Sequence, residues 1–168
     1  MARRSPSFLG LSAASGKARH AARGSSRKVH TKCELALRRS LWAKGLRYRV
    51  NVRGLPGNPD VVFMGARVAV FCDGDFWHGR DLRSRLTRLA SGHNALYWVA
   101  KILANVERDR AKTLQLEAAG WRVLRLWETD ILRQPDEAAA RVEALLSERL
   151  ARRCRRRKAF ALAERGEG

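Results

Sequence analysis

A chain of 168 residues, 45% of them hydrophobic, is long enough to bury one core and leave tails over. Its 35 Lys and Arg against 16 Asp and Glu give a formal charge of +19, which points to polyanionic partners, because neutralising phosphates releases counterions. Three scattered cysteines with no CxxC spacing exclude a disulfide framework and suit a reducing compartment, and no apolar run reaches the roughly 18 residues of a membrane helix.

In chain order, residues 1–29 are rich in Arg, Ser, Ala and Gly with little periodicity and read as a basic, disordered arm. Residues 1–30 and 149–158 each hold seven basic and no acidic residues, so the charge excess sits largely in two arms on a mildly basic body. Thr31 to Glu34 fits a capping box in which Glu34 reaches back over the start of a helix, and Gly45 ends the pattern. Leu46–Val52 alternates apolar and polar residues and predicts a strand with one wet face. Residues 54–59 hold two Gly and two Pro and make a turn. Asp60–Met64 and Arg67–Cys72 then predict an antiparallel pair joined at Gly65, the second strand apolar enough to be central. Residues 79–95 read as a basic connection. Tyr97–Ala118 has helical spacing, with Trp98, Ile102, Val106 and Leu114 near one stripe. Trp121–Trp127 alternates as a strand ending at Glu128, and Asp136–Leu150 is a last helix that the basic run extends. The order gives an α/β sandwich around a small mixed sheet, and no GxGxxG follows a strand to suggest a dinucleotide fold. The trailing residues 151–168 form a basic tail to a domain spanning 30–150.

The chemistry gathers between Leu55 and His78. An antiparallel hairpin brings Asp60, at the head of one strand, to the same sheet end as Cys72-Asp73. A carboxylate with a main-chain carbonyl or a second carboxylate nearby is a hard-oxygen site suited to Mg²⁺. His78, five residues past Asp73, is placed to move protons near neutral pH. The plainer reading of Asp60 is a turn cap, that of Glu34 its capping box, and that of Trp98 a core side chain of its helix; Trp42, Trp121 and Trp127 read as packing residues.

Five segments carry a resemblance: Gly45-Leu46-Arg47-Tyr48-Arg49, Leu55-Pro56-Gly57-x-Pro59-Asp60, Phe76-Trp77-His78, Asn105-Val106-Glu107-Arg108-Asp109 and Gly120-Trp121-Arg122-Val123-Leu124-x-x-Trp127-Glu128. In this order, over roughly residues 31–128, the chain resembles the very short patch repair (Vsr) endonucleases. The resemblance implies a restriction-endonuclease-like (PD-(D/E)XK-type) fold, with a small central mixed β-sheet flanked by helices, and Mg²⁺-dependent nicking of duplex DNA at T·G mismatches. It assigns Asp60 to the metal, the Cys72 main-chain carbonyl to its completion, and His78 to hydrolysis. Glu34 joins the catalytic site from the first helix, and Asp73 is a catalytic-site residue and a further ligand of the metal. Phe76, Trp77 and Trp98 match the aromatics that wedge beside the mismatch, where inserted rings offset the unstacking of a kinked duplex. A monomeric, cytoplasmic, nucleoid-associated bacterial enzyme follows, with mismatch-repair proteins as further partners.

The sequence also departs from that pattern. Many members of the family carry a structural zinc held by cysteines and histidines in and after this segment. Here Asp75 precedes Phe76, no cysteine follows His78 in Gly79-Arg80-Asp81-Leu82, and Thr129 follows Glu128. Zinc takes about four nitrogen or sulfur ligands, so no zinc is expected, and the 79–95 loop must be held by packing or ordered on DNA. The N-terminal arm offers Arg and Ser in place of the apolar residues that other members insert into the minor groove. Two rival readings remain: a nuclease of the same fold with a relaxed or different target, and a DNA-binding protein that has lost catalysis.

Overall fold

The computed structural model describes residues 6, 7, 11 and 29–165, with side chains through Arg152; the rest of the N-terminal arm lies outside the described residues. Helix α1 (Lys32–Ala43) leads to β1 (Val61–Phe63) and β2 (Val68–Asp73). Then follow α2 (Leu82–Ala90), α3 (Ala95–Ala118), β3 (Arg122–Trp127), α4 (Glu128–Arg133) and α5 (Pro135–Arg165). The sheet order is β1-β2-β3, with β1 antiparallel and β3 parallel to the central β2. This is the mixed sheet and central strand that the patterning predicts. No helix among the described residues is long and apolar enough to cross a membrane.

Alternation along β2 divides the core into two layers. Val68 and Val70 join Leu37, Leu41, Leu126, Ile131, Val142 and others in the larger core under α1, α4 and α5. Ala69 and Phe71 face the other way, against Leu116 of α3, Trp121 just before β3 and Val123 within it. Fully burying such a side chain contributes about 1.5–3 kcal/mol, so the larger layer carries most of the stability. The period of two also decides the site. Cys72 packs against the larger core, and Asp73, one residue on, belongs to the Phe71 face.

Several local expectations need correction. The strand predicted at Leu46–Val52 is reduced to a single antiparallel bridge, Arg49 to Val62. Asn51 takes a left-handed backbone (φ 51°) that ends extension there. The supposed loop 79–95 contains α2, which buries no residue and packs along α3. The β1–β2 turn passes through Gly65 as expected, and Arg67 (φ 52°) is its left-handed residue. Leu114 is exposed on α3, while Leu116 is fully buried. Trp42, read as a packing residue, is 59% exposed with the Arg47 guanidinium 3.7 Å over its ring. The short helix α4 was not anticipated; it begins where Glu128 leaves the strand. Helix α5 starts on Pro135, suited to a first helical turn whose N–H groups need no partner. It runs through the basic stretch to Arg165.

The start of α1 is a variant of the expected cap. Thr31 Oγ1 accepts from the Glu34 N–H at 3.4 Å and donates to Glu34 Oε1 at 2.9 Å. The second Glu34 oxygen takes the N–H of His30, at 3.0 Å, one residue earlier than the capping-box pattern places it. At the far end, Gly45 (φ 75°) donates to Trp42 O and Leu46 donates to Leu41 O, a Schellman closure that turns the chain back toward the sheet.

Candidate active site

The antiparallel register sets Val61 opposite Val70, so Asp60 lies at the sheet edge from which β2 runs out. Its Oδ2 accepts the Cys72 main-chain N–H at 2.7 Å, and its other oxygen meets no hydrogen-bond donor among the described residues. Burial, only partly offset by the Cys72 N–H and aggravated by the charge of Glu34, pushes the Asp60 carboxyl up to about 6. A half-buried carboxylate so reluctant to ionise favours a nearby cation.

Glu34 reaches this edge from α1. It is 3% exposed, and its Oε2 accepts Arg38 Nη2 at 2.9 Å. The same Nη2 donates to the Asp60 main-chain oxygen at 3.1 Å, while Arg38 Nη1 meets His30 Nδ1 at 2.9 Å. Cap and site readings of Glu34 therefore coexist: one carboxylate closes the helix start and anchors the arginine that ties α1 to Asp60.

Asp73 does something else. It is 3% exposed, and both of its oxygens are taken by Arg125 of β3, at 2.6 Å from Nε and 2.7 Å from Nη2. The parallel register explains the pair, with Phe71 beside Arg125 and Asp73 beside Trp127, and Arg125 lies 4.6 Å over the Phe71 ring. Asp73 thus sits on the α3 face, paired as a fork with a guanidinium. Its side chain is turned away from the face on which Cys72 packs.

His78 Nδ1 lies 2.6 Å from Asp109 Oδ2 on α3 and 3.6 Å from Asp73 Oδ1. Burial alone would lower its basicity, but the hydrogen bond to Asp109 and the charges of Asp73 and Asp109 outweigh that and raise it above 6.5. With Nδ1–H held by a carboxylate, the neutral ring keeps Nε2 as its basic nitrogen. Asp109 is the functional residue that sequence reasoning missed. The signal was present, since Asn105 and Asp109 are one helical turn apart within the segment carrying the resemblance. Asn105 Nδ2 donates to the Trp77 carbonyl at 3.1 Å, so one face of α3 holds two successive residues of the 76–78 segment.

The aromatics gather beside this histidine. Phe76 lies 4.9 Å from Trp77 and 5.9 Å from Trp98, and Trp77 lies 6.1 Å from Trp98. Trp77 is 40% exposed, so the cluster is open to solvent on one side. Gly79 (φ 76°) permits the turn that follows; a Cβ there would lie 2.7 Å from Val106 Cγ2. Gly79→Ala should therefore destabilise the protein by about 1–3 kcal/mol, read as a lower urea midpoint at unchanged slope. Trimming Val106 to Ala in the same chain should recover part of the loss.

The site is thus an acid-lined edge: a half-buried carboxylate with one oxygen undonated, a histidine backed by a carboxylate, and a half-open aromatic cluster. Among the described residues no three His, Cys, Asp or Glu side chains are grouped as metal ligands.

Comparison with known proteins agrees with the sequence resemblance. The family model described as DNA mismatch endonuclease Vsr matches residues 15–84. The chain is 42% identical over 118 residues to the type II nicking enzyme V.NmeDIP of Neisseria meningitidis serogroup C, covering 70% of this chain and 78% of that one. It is 38% identical over 130 residues to the type II nicking enzyme V.HpaIIP of Haemophilus parainfluenzae, covering 77% and 91%. It is 39% identical over 98 residues to the DNA mismatch endonuclease Vsr of Escherichia coli K12, covering 58% and 61%.

Proposed function

The chain belongs to the Vsr family of endonucleases, and from that premise we propose that it is a Mg²⁺-dependent nuclease that nicks one strand of duplex DNA at a T·G mismatch, on a restriction-endonuclease-like fold. The observation that supports this most is the pairing of His78 with Asp109 at the sheet end where Asp60 keeps one carboxylate oxygen undonated.

An oxygen donor set suits a hard divalent cation, and the raised Asp60 carboxyl fits it, because a cation would relieve the cost of ionising there. Asp60 and the Cys72 main-chain carbonyl would hold the ion, with water completing its shell. When bound, Mg²⁺ would polarise the phosphodiester and neutralise the departing oxyanion. The chain's own residues supply the rest. His78 Nε2 takes a proton from the attacking water, while Asp109 fixes the ring and stabilises the imidazolium that forms. Asp73 holds Arg125 beside Asp109, where Arg125 Nη2 lies 3.7 Å from Asp109 Oδ2, and so tempers the basicity that two carboxylates confer on His78. Glu34 and Arg38 fix the main chain at Asp60. Phe76, Trp77 and Trp98 stack against bases opened at the mismatch, where unstacking costs a few kcal/mol per step. The net basic charge supplies salt-dependent phosphate affinity.

A second reading keeps the chemistry and widens the target. It is favoured by the names of relatives such as V.NmeDIP and V.HpaIIP, which are nicking enzymes. Matched, T·G and other mismatched duplexes, each with and without Mg²⁺, separate the two. The leading reading expects Mg²⁺-dependent nicking confined to one strand of the T·G duplex. Equal nicking of every duplex supports the wider target, and tight binding with no cleavage of any duplex overturns both.

A further inference from the structure

The segment Phe76–Trp77–His78 is held from α3 on one side, and a second grip faces it from α4. Asp73 pairs with Trp127 across the parallel strands, so residues two positions beyond each are brought together. Those residues are Asp75 and Thr129, and the Thr129 hydroxyl donates to Asp75 Oδ2. The other Asp75 oxygen accepts Arg80 Nη1 at 3.3 Å, and Arg80 Nη2 donates to Asp130 Oδ1 at 2.7 Å. The Arg80 main chain closes the same turn: its N–H donates to Asp75 O at 3.2 Å. Its carbonyl accepts Arg85 Nε at 3.2 Å, and Arg85 lies 5.3 Å from the Phe76 ring.

Asp75 and Thr129 occupy the positions where the family resemblance implies zinc-binding cysteines. The residues present do not fit zinc: the donors are oxygens, and a guanidinium already lies between the two carboxylates, where it would repel a cation. We propose that Asp75, Arg80, Thr129 and Asp130 form a metal-free polar clip that positions the aromatic wedge and His78 for hydrolysis. These are positioning residues, since they act through the segment they hold. The proposal rests on the nuclease reading above. The energetic logic is geometric: a charged fork shared between two carboxylates fixes a loop more narrowly than packing alone, and a displacement of about 1 Å at a reacting group costs up to about 100-fold in rate.

The test uses the full-length protein with wild type in every assay, so that an inactive wild type counts against the nuclease reading and not against the clip. Arg80→Met and Thr129→Val should each lower kcat on saturating duplex by about 10–100-fold while the duplex Kd stays put. Thr129→Ser, which keeps the hydroxyl, should restore turnover. Both damaging variants should change the near-ultraviolet circular dichroism of the aromatic cluster, and Thr129→Ser should not. Purified wild type should contain far less than stoichiometric zinc, with a melting temperature in Mg²⁺-free buffer indifferent to chelator. Stoichiometric zinc whose removal lowers the melting temperature would overturn the proposal, as would wild-type kcat in Arg80→Met. So would an Arg80→Met that weakens Kd at unchanged kcat and loses about one unit of salt slope, since that is the behaviour of a phosphate contact.

Discussion

Asp60→Asn is expected to abolish nicking and, above pH 6, to make the protein more stable than the wild type. The folded environment raises the Asp60 carboxyl from 3.8 to about 6, so the fold binds the proton more tightly than the unfolded chain does. The sign follows from linkage. The contribution of this group is fully present below pH 3.8 and is lost as pH rises through about 6, so at pH 8 the ionised carboxylate costs up to about 3 kcal/mol at 1.36 kcal/mol per pH unit. Asparagine removes that cost and still offers an oxygen to the Cys72 N–H. Thermal melts should show a gap between variant and wild type that opens between pH 4 and 6 and stays level to pH 8. Mg²⁺ should raise the wild-type melting temperature at pH 8 and leave Asp60→Asn unmoved, because only the wild type binds the ion through this carboxylate. A variant that nicks normally, or one that is destabilised at pH 8, would remove Asp60 from the metal site.

The other large effect belongs to His78 and Asp109. His78→Ala should lower turnover by about 10²–10⁴-fold, the range for a positioned general base, with duplex binding retained. Because the carboxylates raise His78 above 6.5, and the base must be neutral to act, turnover should climb with pH through a midpoint above that value. Asp109→Asn should move the midpoint down and also lower the plateau, since the ring then loses both its raised basicity and its anchor at 2.6 Å. Stability responds with the opposite sense: the raised histidine supports the fold fully below pH 6.5, and that support fades as pH climbs through the folded value. A pH profile identical in wild type and Asp109→Asn would exclude this pair from proton transfer.

What the sequence determined by itself is local. The hairpin that carries Asp60 to Cys72 was legible because two apolar runs with a short turn between them have one economical pairing, and the observed register delivers the 2.7 Å bond. The central place of β2 was legible from its unbroken apolar run, and the cap at Thr31–Glu34 from its spacing. The gathering of Phe76, Trp77 and Trp98 followed from the family resemblance rather than from periodicity. Local signals misled where a neighbour had the deciding vote. Leu46–Val52 alternates like a strand, but β1 is three residues long and offers it only one bridge. Residues 82–90 form a helix that packs along α3; its stripe of Leu82, Leu86 and Leu89 at i, i+4, i+7 was legible in the sequence, but only half-buried side chains set among basic residues resulted.

Tertiary structure alone decided the partners of each charged group. His78 meets Asp109 across 31 residues, Asp73 meets Arg125 across 52, and Asp75 meets Thr129 across 54. Strand alternation could say that Asp73 and Cys72 face opposite ways. It could not say that a guanidinium from a parallel neighbour would claim both Asp73 oxygens. That depends on β3 lying in register beside β2 and on α3 covering the far face, and these placements follow from burying two core layers at once rather than from any run of residues.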